Sequence, residues 1–143
     1  MKIRKAKKSD FDGILRIFIE SSVQNPEDKG NKQLKEYLLF SIKNRNMLVL
    51  VASFDKEIVG VGICQLKEIR KEDAKLLDIY VLKKYRGKRI GERLMKELYK
   101  LLKKKGIKNL GLYSENNKKT LNFYKKQGFQ IGRLIRRCDK RLK

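Results

Sequence analysis

The sequence predicts a mixed α/β fold: one mostly antiparallel sheet flanked by about four helices, in the order β-α-α-β-β-β-α-β-α-β, within a single domain over residues 1–143. Three observations predict it. Apolar residues recur at helical spacing in several windows. Three β-rich runs follow one another in the middle of the chain, the first two joined by a short turn. Later a strand feeds a long amphipathic helix and then another strand, the pattern of a β-α-β crossover. A chain of 143 residues is one domain by length, since domains commonly run to roughly 100–150 residues.

The elements follow in order. Residues 2–6 (KIRKA) read as a short strand. Phe11, Ile14, Leu15, Phe18 and Ile19 then form an i, i+3, i+4, i+7, i+8 stripe, an amphipathic helix. Ser9, with Asp12 three residues on, resembles a capping box at its start. Residues 21–31 are polar, hold the only proline and read as a loop. Leu34, Leu38 and Ile42 mark a second helix. Residues 47–53 and 57–66 are joined by Phe54, Asp55 and Lys56 as a hairpin. Residues 67–73 are charged, a turn or strand end, and 74–82 form the third apolar run. From Ile90 the stripe returns at Leu94, Leu98, Leu101 and Leu102, a helix ending near Gly106. Residues 107–114 read as a strand, and 117–127 as a short helix closed by Gly128. Phe129, Ile131, Leu134 and Ile135 suffice for one or two strands in the last 15 residues.

Composition removes whole classes of chemistry. The chain has no histidine, so a Ser-His-Asp or Cys-His nucleophile is excluded, and so are His-based zinc or iron sites. No metal is expected. Cys64 and Cys138 lie far apart, which points to reduced thiols in a cytoplasm rather than a disulfide framework. Cys64 reads as a small buried apolar residue rather than a ping-pong nucleophile. The N-terminus has no apolar h-region and no stretch approaches about 18 apolar residues, so neither a signal peptide nor a membrane partner is expected.

Lys and Arg number 38 against 16 Asp and Glu, a net charge of +22. The excess is uneven. Residues 1–82 carry 16 basic and 12 acidic residues, whereas 83–143 carry 22 and 4. Glu92, Glu97, Glu115 and Asp139 are the only acids of that second part. A field of this sign attracts phosphate-bearing partners, whether nucleotide, nucleic acid or phosphorylated cofactor. For most of these residues a solvated lysine surface is the simpler reading.

The most informative segment is LLDIYVLKKYRGKRIGERL, residues 76–94. A buried strand enters a basic loop and then, without a break, a helix. Unpaired N–H groups and the positive helix end make such a junction an anion site. Gly87 and Gly91 allow close backbone approach, and Lys84, Arg86, Lys88 and Arg89 add positive charge. Neither GxxxxGK[ST] nor GxGxxG is present. On these residues alone, an anion site and an ordinary strand-to-helix turn both remain open.

The pattern YxxRGxxIGxxL after a hydrophobic strand resembles the acetyl-CoA signature of the GNAT superfamily of N-acetyltransferases, usually written Q/R-x-x-G-x-G/A. Arg86 fills its first position and Gly91 its last, while Arg89 stands where the middle glycine is expected. That departure is tolerated if only the backbone N–H of residue 89 is used. A second block, Asn117 to Phe129 (NKKTLNFYKKQGF), is similar to the family's N-x-x-[AST]-x-x-x-Y-x-x-x-G-F segment. The two blocks lie in the expected order, and the β-α-α-β-β-β order before them also agrees. The resemblance therefore spans nearly the whole chain and implies a GNAT-like domain.

It implies acetyl transfer from acetyl-CoA, as co-substrate, to a primary amine by direct attack in a ternary complex. The pantetheine arm is expected along residues 78–81, with Ile79, Tyr80 and Val81 on the cofactor. The pyrophosphate is expected on the amides of Arg86, Gly87, Lys88, Arg89, Ile90, Gly91 and Glu92, and Asn117 near the pantetheine. The resemblance makes Tyr124 the general acid that protonates the leaving thiolate, and a contact of the cofactor. On the residues alone Tyr124 reads as a core aromatic, since Phe123, Tyr124 and Phe129 cluster. An amine acceptor must arrive unprotonated, so a base is expected. Asp78 is the tentative base: it stands inside an apolar strand, where an unpaired carboxylate is costly, though a structural partner explains it equally well. Glu68 and Glu115 are the other acids in range.

The resemblance implies a groove open to a peptide N-terminus, a protein lysine or a small amine as the acceptor. Residues 20–33, with Glu27 and Asp28, would wall its groove, and Glu68, Glu72, Asp73 and Asp78 could steer a cation. The alternative is a basic RNA- or ribosome-associated protein whose GNAT-like domain binds CoA without catalysis. No aromatic-rich RNA signature or helix-turn-helix pattern accompanies the charge. Monomer and homodimer are both compatible with the sequence.

Overall fold

One five-stranded sheet organises the first part of the chain. The computed structural model describes residues 1–21, 32–67 and 69–142. They fall into two compact units, Met1–Leu112 and Tyr113–Lys143. In the first unit the order is β1 (Lys2–Lys5), α1 (Phe11–Ser21), α2 (Lys32–Lys43), β2 (Met47–Phe54), β3 (Glu57–Leu66), β4 (Asp73–Val81), α3 (Ile90–Lys104) and β5 (Asn109–Gly111). Short 3-10 turns precede α1 at Lys8–Asp10 and follow β4 at Lys83–Tyr85. The strands lie in the order β1-β2-β3-β4-β5, antiparallel except for β4 and β5, which run parallel. This is the mixed, mostly antiparallel α/β architecture that the sequence predicts.

The two central strands read as nearly continuous apolar runs because both of their faces are covered. Leu48 to Ala52 of β2 and Ile58 to Cys64 of β3 are buried, glycines included. On one face α1 brings Ile14, Ile17 and Phe18, and α2 brings Leu38. On the other, α3 brings Ile90, Leu94, Met95, Leu98 and Leu102. A β-bulge at Val59 assigns the faces: Ser53 pairs with Ile58, whereas Ala52 pairs with Gly60. Ile58 therefore turns toward α1, where a Cβ on Gly13 would stand 2.8 Å from its Cβ. Gly60 and Gly62 turn toward α3, where added Cβ atoms would meet Leu94 at 3.1 Å and Leu98 at 3.0 Å. At these two positions the long helix rests on main chain.

Local signals behave as expected at the hairpin and at the end of α3. Asp55 and Lys56 both have positive φ, 45° and 68°, the two-residue turn whose twist suits a hairpin. Gly106, at φ 78°, follows α3. The start of α1 differs. Asp10, not Ser9, closes it: its carboxylate accepts from the Lys7 N–H at 2.7 Å and takes both guanidinium nitrogens of Arg4, at 2.7 and 2.9 Å. A carboxylate held by the Arg4 cation is a stronger acceptor for the N–H of that turn than a neutral hydroxyl. The strand expected over 107–114 shortens to β5. The loop expected at 21–31, with Glu27 and Asp28, lies almost wholly outside the described residues, and so does Glu68.

In the second unit, α4 (Lys118–Lys126) is capped by Asn117, whose side-chain oxygen accepts the Thr120 N–H at 2.9 Å. Gly128, at φ 91°, ends it. The final strand or strands expected after Gly128 do not form: residues 129–142 take no regular secondary structure. Ile131, Leu134, Ile135 and Leu142 are exposed there. Their spacing of 3, 1 and 7 breaks the alternation a half-buried strand needs, and arginines fill the gaps. Among the described residues no helix is long and apolar enough to cross a membrane.

Candidate active site

The site begins with an irregularity in β4. Ile63 pairs with Asp78 and Cys64 with Leu76, so Leu77 is an extra residue, a β-bulge. A bulge re-aims side chains and sharpens the twist of its strand. Here it sends Leu76 into the core beneath α3 and Asp78 to the opposite face, toward α1 and α2. It also ends the parallel ladder. Asp73, Ala74 and Lys75 pair with Asn109, Leu110 and Gly111, and the pairing stops there. From Leu76 to Val81, β4 keeps β3 on one side and has no strand on the other among the described residues. That divergence is why β5 is so short.

Strand alternation decides which groups face the open edge. The Leu82 N–H donates to Val59 O at 2.9 Å, so residues 82 and 80 direct their main chain to β3. Ile79 and Val81 direct theirs outward. Arg86 occupies part of that edge, its Nε donating to Val81 O at 3.0 Å. Tyr80 differs from its neighbours: its main chain serves β3, and its ring lies edge-on to Phe18 at 5.1 Å.

The chain then turns through Lys83–Tyr85 into the loop before α3. None of the six main-chain N–H groups from Gly87 to Glu92 donates to an acceptor among the described residues. Those of Ile90, Gly91 and Glu92 are the unpaired donors that open any helix, and a helix of 15 residues adds its dipole. Gly87, at φ 77°, has nothing within 4 Å of where its Cβ would be. Arg89, the residue expected to be glycine, keeps the glycine backbone: it is the N-cap of α3 at φ 61°, ψ 22°. A non-glycine residue there costs of order 1 kcal/mol or more. The result is an open cradle of donors, continuous with the open edge of β4, and an anion with several oxygens fits it.

On the other face of β4, Asp78 accepts the Tyr37 hydroxyl on Oδ2 at 2.6 Å. Asp78 is half-buried, and no donor among the described residues reaches its Oδ1. Burial pushes the carboxyl above the usual range, and the Tyr37 hydrogen bond pulls the other way. Tyr37 itself is pushed up, by burial and then by the Asp78 charge. Phe18 stands edge-on to Tyr37 at 6.4 Å. A half-buried carboxylate with one oxygen held by a tyrosine, beside aromatic rings, can take a proton or hold a cation.

Two further candidate acids are engaged. Glu72 pairs with Lys108, and Asp73 with Arg70 and the Asn109 side chain. Cys64 is buried and its thiol is pushed up to about 12, which leaves no thiolate at neutral pH. Among the described residues no group of three or more acids and cysteines could hold a metal. In the second unit, Tyr124 is buried between the rings of Phe123, at 5.3 Å, and Phe129, at 5.6 Å.

Two site residues escape the sequence reading. Tyr37 lies 41 residues from Asp78 along the chain. Glu57 lies 28 residues from Tyr85, whose hydroxyl it accepts. A tyrosine one position off the Leu34, Leu38, Ile42 stripe was the only local sign of the first. Nothing local marks the second.

The sequence pattern of the Acetyltransferase (GNAT) family matches residues 11–129. The chain belongs to the GNAT family. It is an acyltransferase, an N-acetyltransferase of that superfamily, and its family uses acetyl-CoA. This GNAT chain is 34% identical over 115 residues to a spermidine N(1)-acetyltransferase of Thermoplasma acidophilum, covering 80% of the chain and 68% of that protein. It is 27% identical over 135 residues to an uncharacterized N-acetyltransferase of Archaeoglobus fulgidus, covering 89% and 91%. The fold superposes on AAC(6')-Iy in complex with a bisubstrate analogue, CoA-S-monomethyl-acetylneamine, with a TM-score of 0.79 at 14% identity, covering 99% and 98%.

Proposed function

We propose that the chain moves the acetyl group of acetyl-CoA to a primary amine by direct attack in a ternary complex. The observation that carries this reading is the run of six unsatisfied N–H groups at the start of α3, beside the open edge of β4. Residues 86–92 would hold the diphosphate through the amides of 87–92, since the Arg86 N–H already donates to Lys83 O at 3.2 Å, and the outward main chain of Ile79 and Val81 would hold the amide-bearing arm. Asn117 would meet the same arm with the part of its side chain not used in capping α4.

Acetyl-CoA supplies an activated thioester; the protons are the protein's task. Asp78 would take the acceptor's proton on Oδ1, the oxygen that Tyr37 leaves open. Its raised pKa makes it a better base for an ammonium than an ordinary aspartate. Tyr124 would return a proton to the leaving thiolate, which needs only a weak acid. The relative's name makes a polyamine the first acceptor to try. Asp78 is also the acid best suited to a cation, because Glu72 and Asp73 already have cationic partners.

The test is an amine and peptide panel read by release of free thiol, with CoA affinity measured separately by calorimetry. The expected result is turnover with a small cationic amine, lost by roughly 100-fold in kcat/KM in Asp78→Asn and in Tyr124→Phe. CoA affinity should persist in Asp78→Asn. Full activity in either variant removes that residue's role, and no CoA binding by the unchanged chain removes the reading.

A further inference from the structure

Two carboxylates stand close to a site built for an anion. Glu57, at the start of β3, is a hub. Its Oε1 accepts from Arg16 of α1 at 2.8 Å and pairs with Lys84 Nζ at 3.1 Å; its Oε2 accepts the Tyr85 hydroxyl at 2.7 Å. Glu20 of α1 accepts the Lys83 N–H at 2.6 Å. Lys83, Lys84 and Tyr85 form the 3-10 turn between β4 and the N–H cradle, flanked by Leu82 and Arg86. Each of the three is therefore tied, through an acid, to an element on the far side of that turn. The Tyr85 ring so fixed carries Lys84 Nζ at 5.1 Å and Lys88 Nζ at 5.3 Å from its centre. Lys88 belongs to the cradle itself. The Glu57 carboxyl is held down to about 2, by the Tyr85 hydroxyl first and Lys84 second, so it is charged at every working pH.

We propose that Glu57, assisted by Glu20, is a positioning residue for the cofactor site: it anchors the turn from which the cradle projects. The inference rests on the reading that residues 86–92 hold the diphosphate of CoA. It makes a prediction opposite in sign to plain electrostatics. Removing a negative charge close to an anion site, and freeing Lys84, should tighten CoA binding if Glu57 acts only through its field. If Glu57 acts by holding the turn, the same change loosens the cradle and weakens binding.

The experiment is CoA titration calorimetry on the full chain, with steady-state kinetics alongside. Glu57→Gln should raise the Kd for CoA about tenfold, the scale of a lost charge-assisted hydrogen bond, and raise KM for acetyl-CoA likewise. Its kcat at saturation should stay near that of the unchanged chain. Tyr85→Phe, which keeps the ring and removes one hydrogen bond, should give a smaller rise in the same direction. Arg4→Gln breaks the Arg4–Asp10 pair, away from the turn, and should lower Tm without moving Kd. Tighter or unchanged CoA binding in both Glu57→Gln and Tyr85→Phe overturns the positioning role and leaves the acetyltransferase reading intact. A Kd rise in Arg4→Gln equal to that in Glu57→Gln also overturns it, because general loosening then explains both. Failure of the unchanged chain to bind CoA overturns the diphosphate reading and the positioning role with it.

Discussion

Arg89 holds a backbone shape that most residues avoid, at the N-cap of α3. Replacing it with glycine relieves that strain, while glycine's extra freedom in the unfolded chain returns part of the gain. Arg89→Gly should therefore raise stability by up to about 1 kcal/mol, seen as a higher urea midpoint at unchanged slope. Asp78 and Tyr37 give a second expectation. The Tyr37 hydroxyl favours the charged carboxylate, so Tyr37→Phe should raise the Asp78 pKa further. A base must be deprotonated to act, so the acidic limb of the kcat/KM profile should move to higher pH. An unmoved limb would disconnect Asp78 from catalysis. Asp78 was legible in the sequence as a carboxylate in an apolar strand. Its partner was not, because a hydrogen bond spanning 41 residues leaves no trace in local pattern. The strain at Arg89 was half legible: the family pattern calls for glycine there, but only coordinates give the φ.

At the scale of elements, helix-to-sheet distance is set by glycine. In α1, Gly13→Ala gains about 1 kcal/mol of helix propensity. Against that, the new Cβ would lie 2.8 Å from both Cβ and Cγ1 of Ile58, atoms near the backbone that cannot swing away. Overlap of this kind costs typically 1–3 kcal/mol, so the substitution should destabilise on balance. A thermal melt checks the sign, and a higher Tm would show that α1 lifts off the sheet freely. Periodicity found α1, α2, α3 and α4, and the hairpin of β2 and β3. It overestimated β5 and the end of the chain. In both places apolar content was sufficient but strand pairing was not available: the Leu77 bulge turns β4 away from β5, and the spacing after Gly128 supplies no consistent face.

Charge acts on the whole molecule. Asp10, Glu57 and Asp73 are all held below the ordinary carboxylate range, chiefly by Arg4, Tyr85 and Arg70 respectively. Their contribution to stability is present above the ordinary carboxylate range and is lost as pH falls through their lowered values, about 2 for Glu57. Asp78 works in the opposite sense, since its raised pKa favours the folded state at low pH. Three groups outweigh one, so Tm should fall steeply below about pH 4.5, compounded by the mutual repulsion of a chain at +22. Circular dichroism melts across that range test it; a flat acid profile would mean the three pairs persist unfolded. The gap in the sheet has its own consequence. The amides of Ile79 and Val81 sit beside protected strands yet have no strand among the described residues to shield them, so in deuterium oxide they should exchange far faster than those of Val61 and Ile63 next door. A bound cofactor arm that completes the ladder would slow exactly that pair, turning two amide signals into a direct gauge of occupancy.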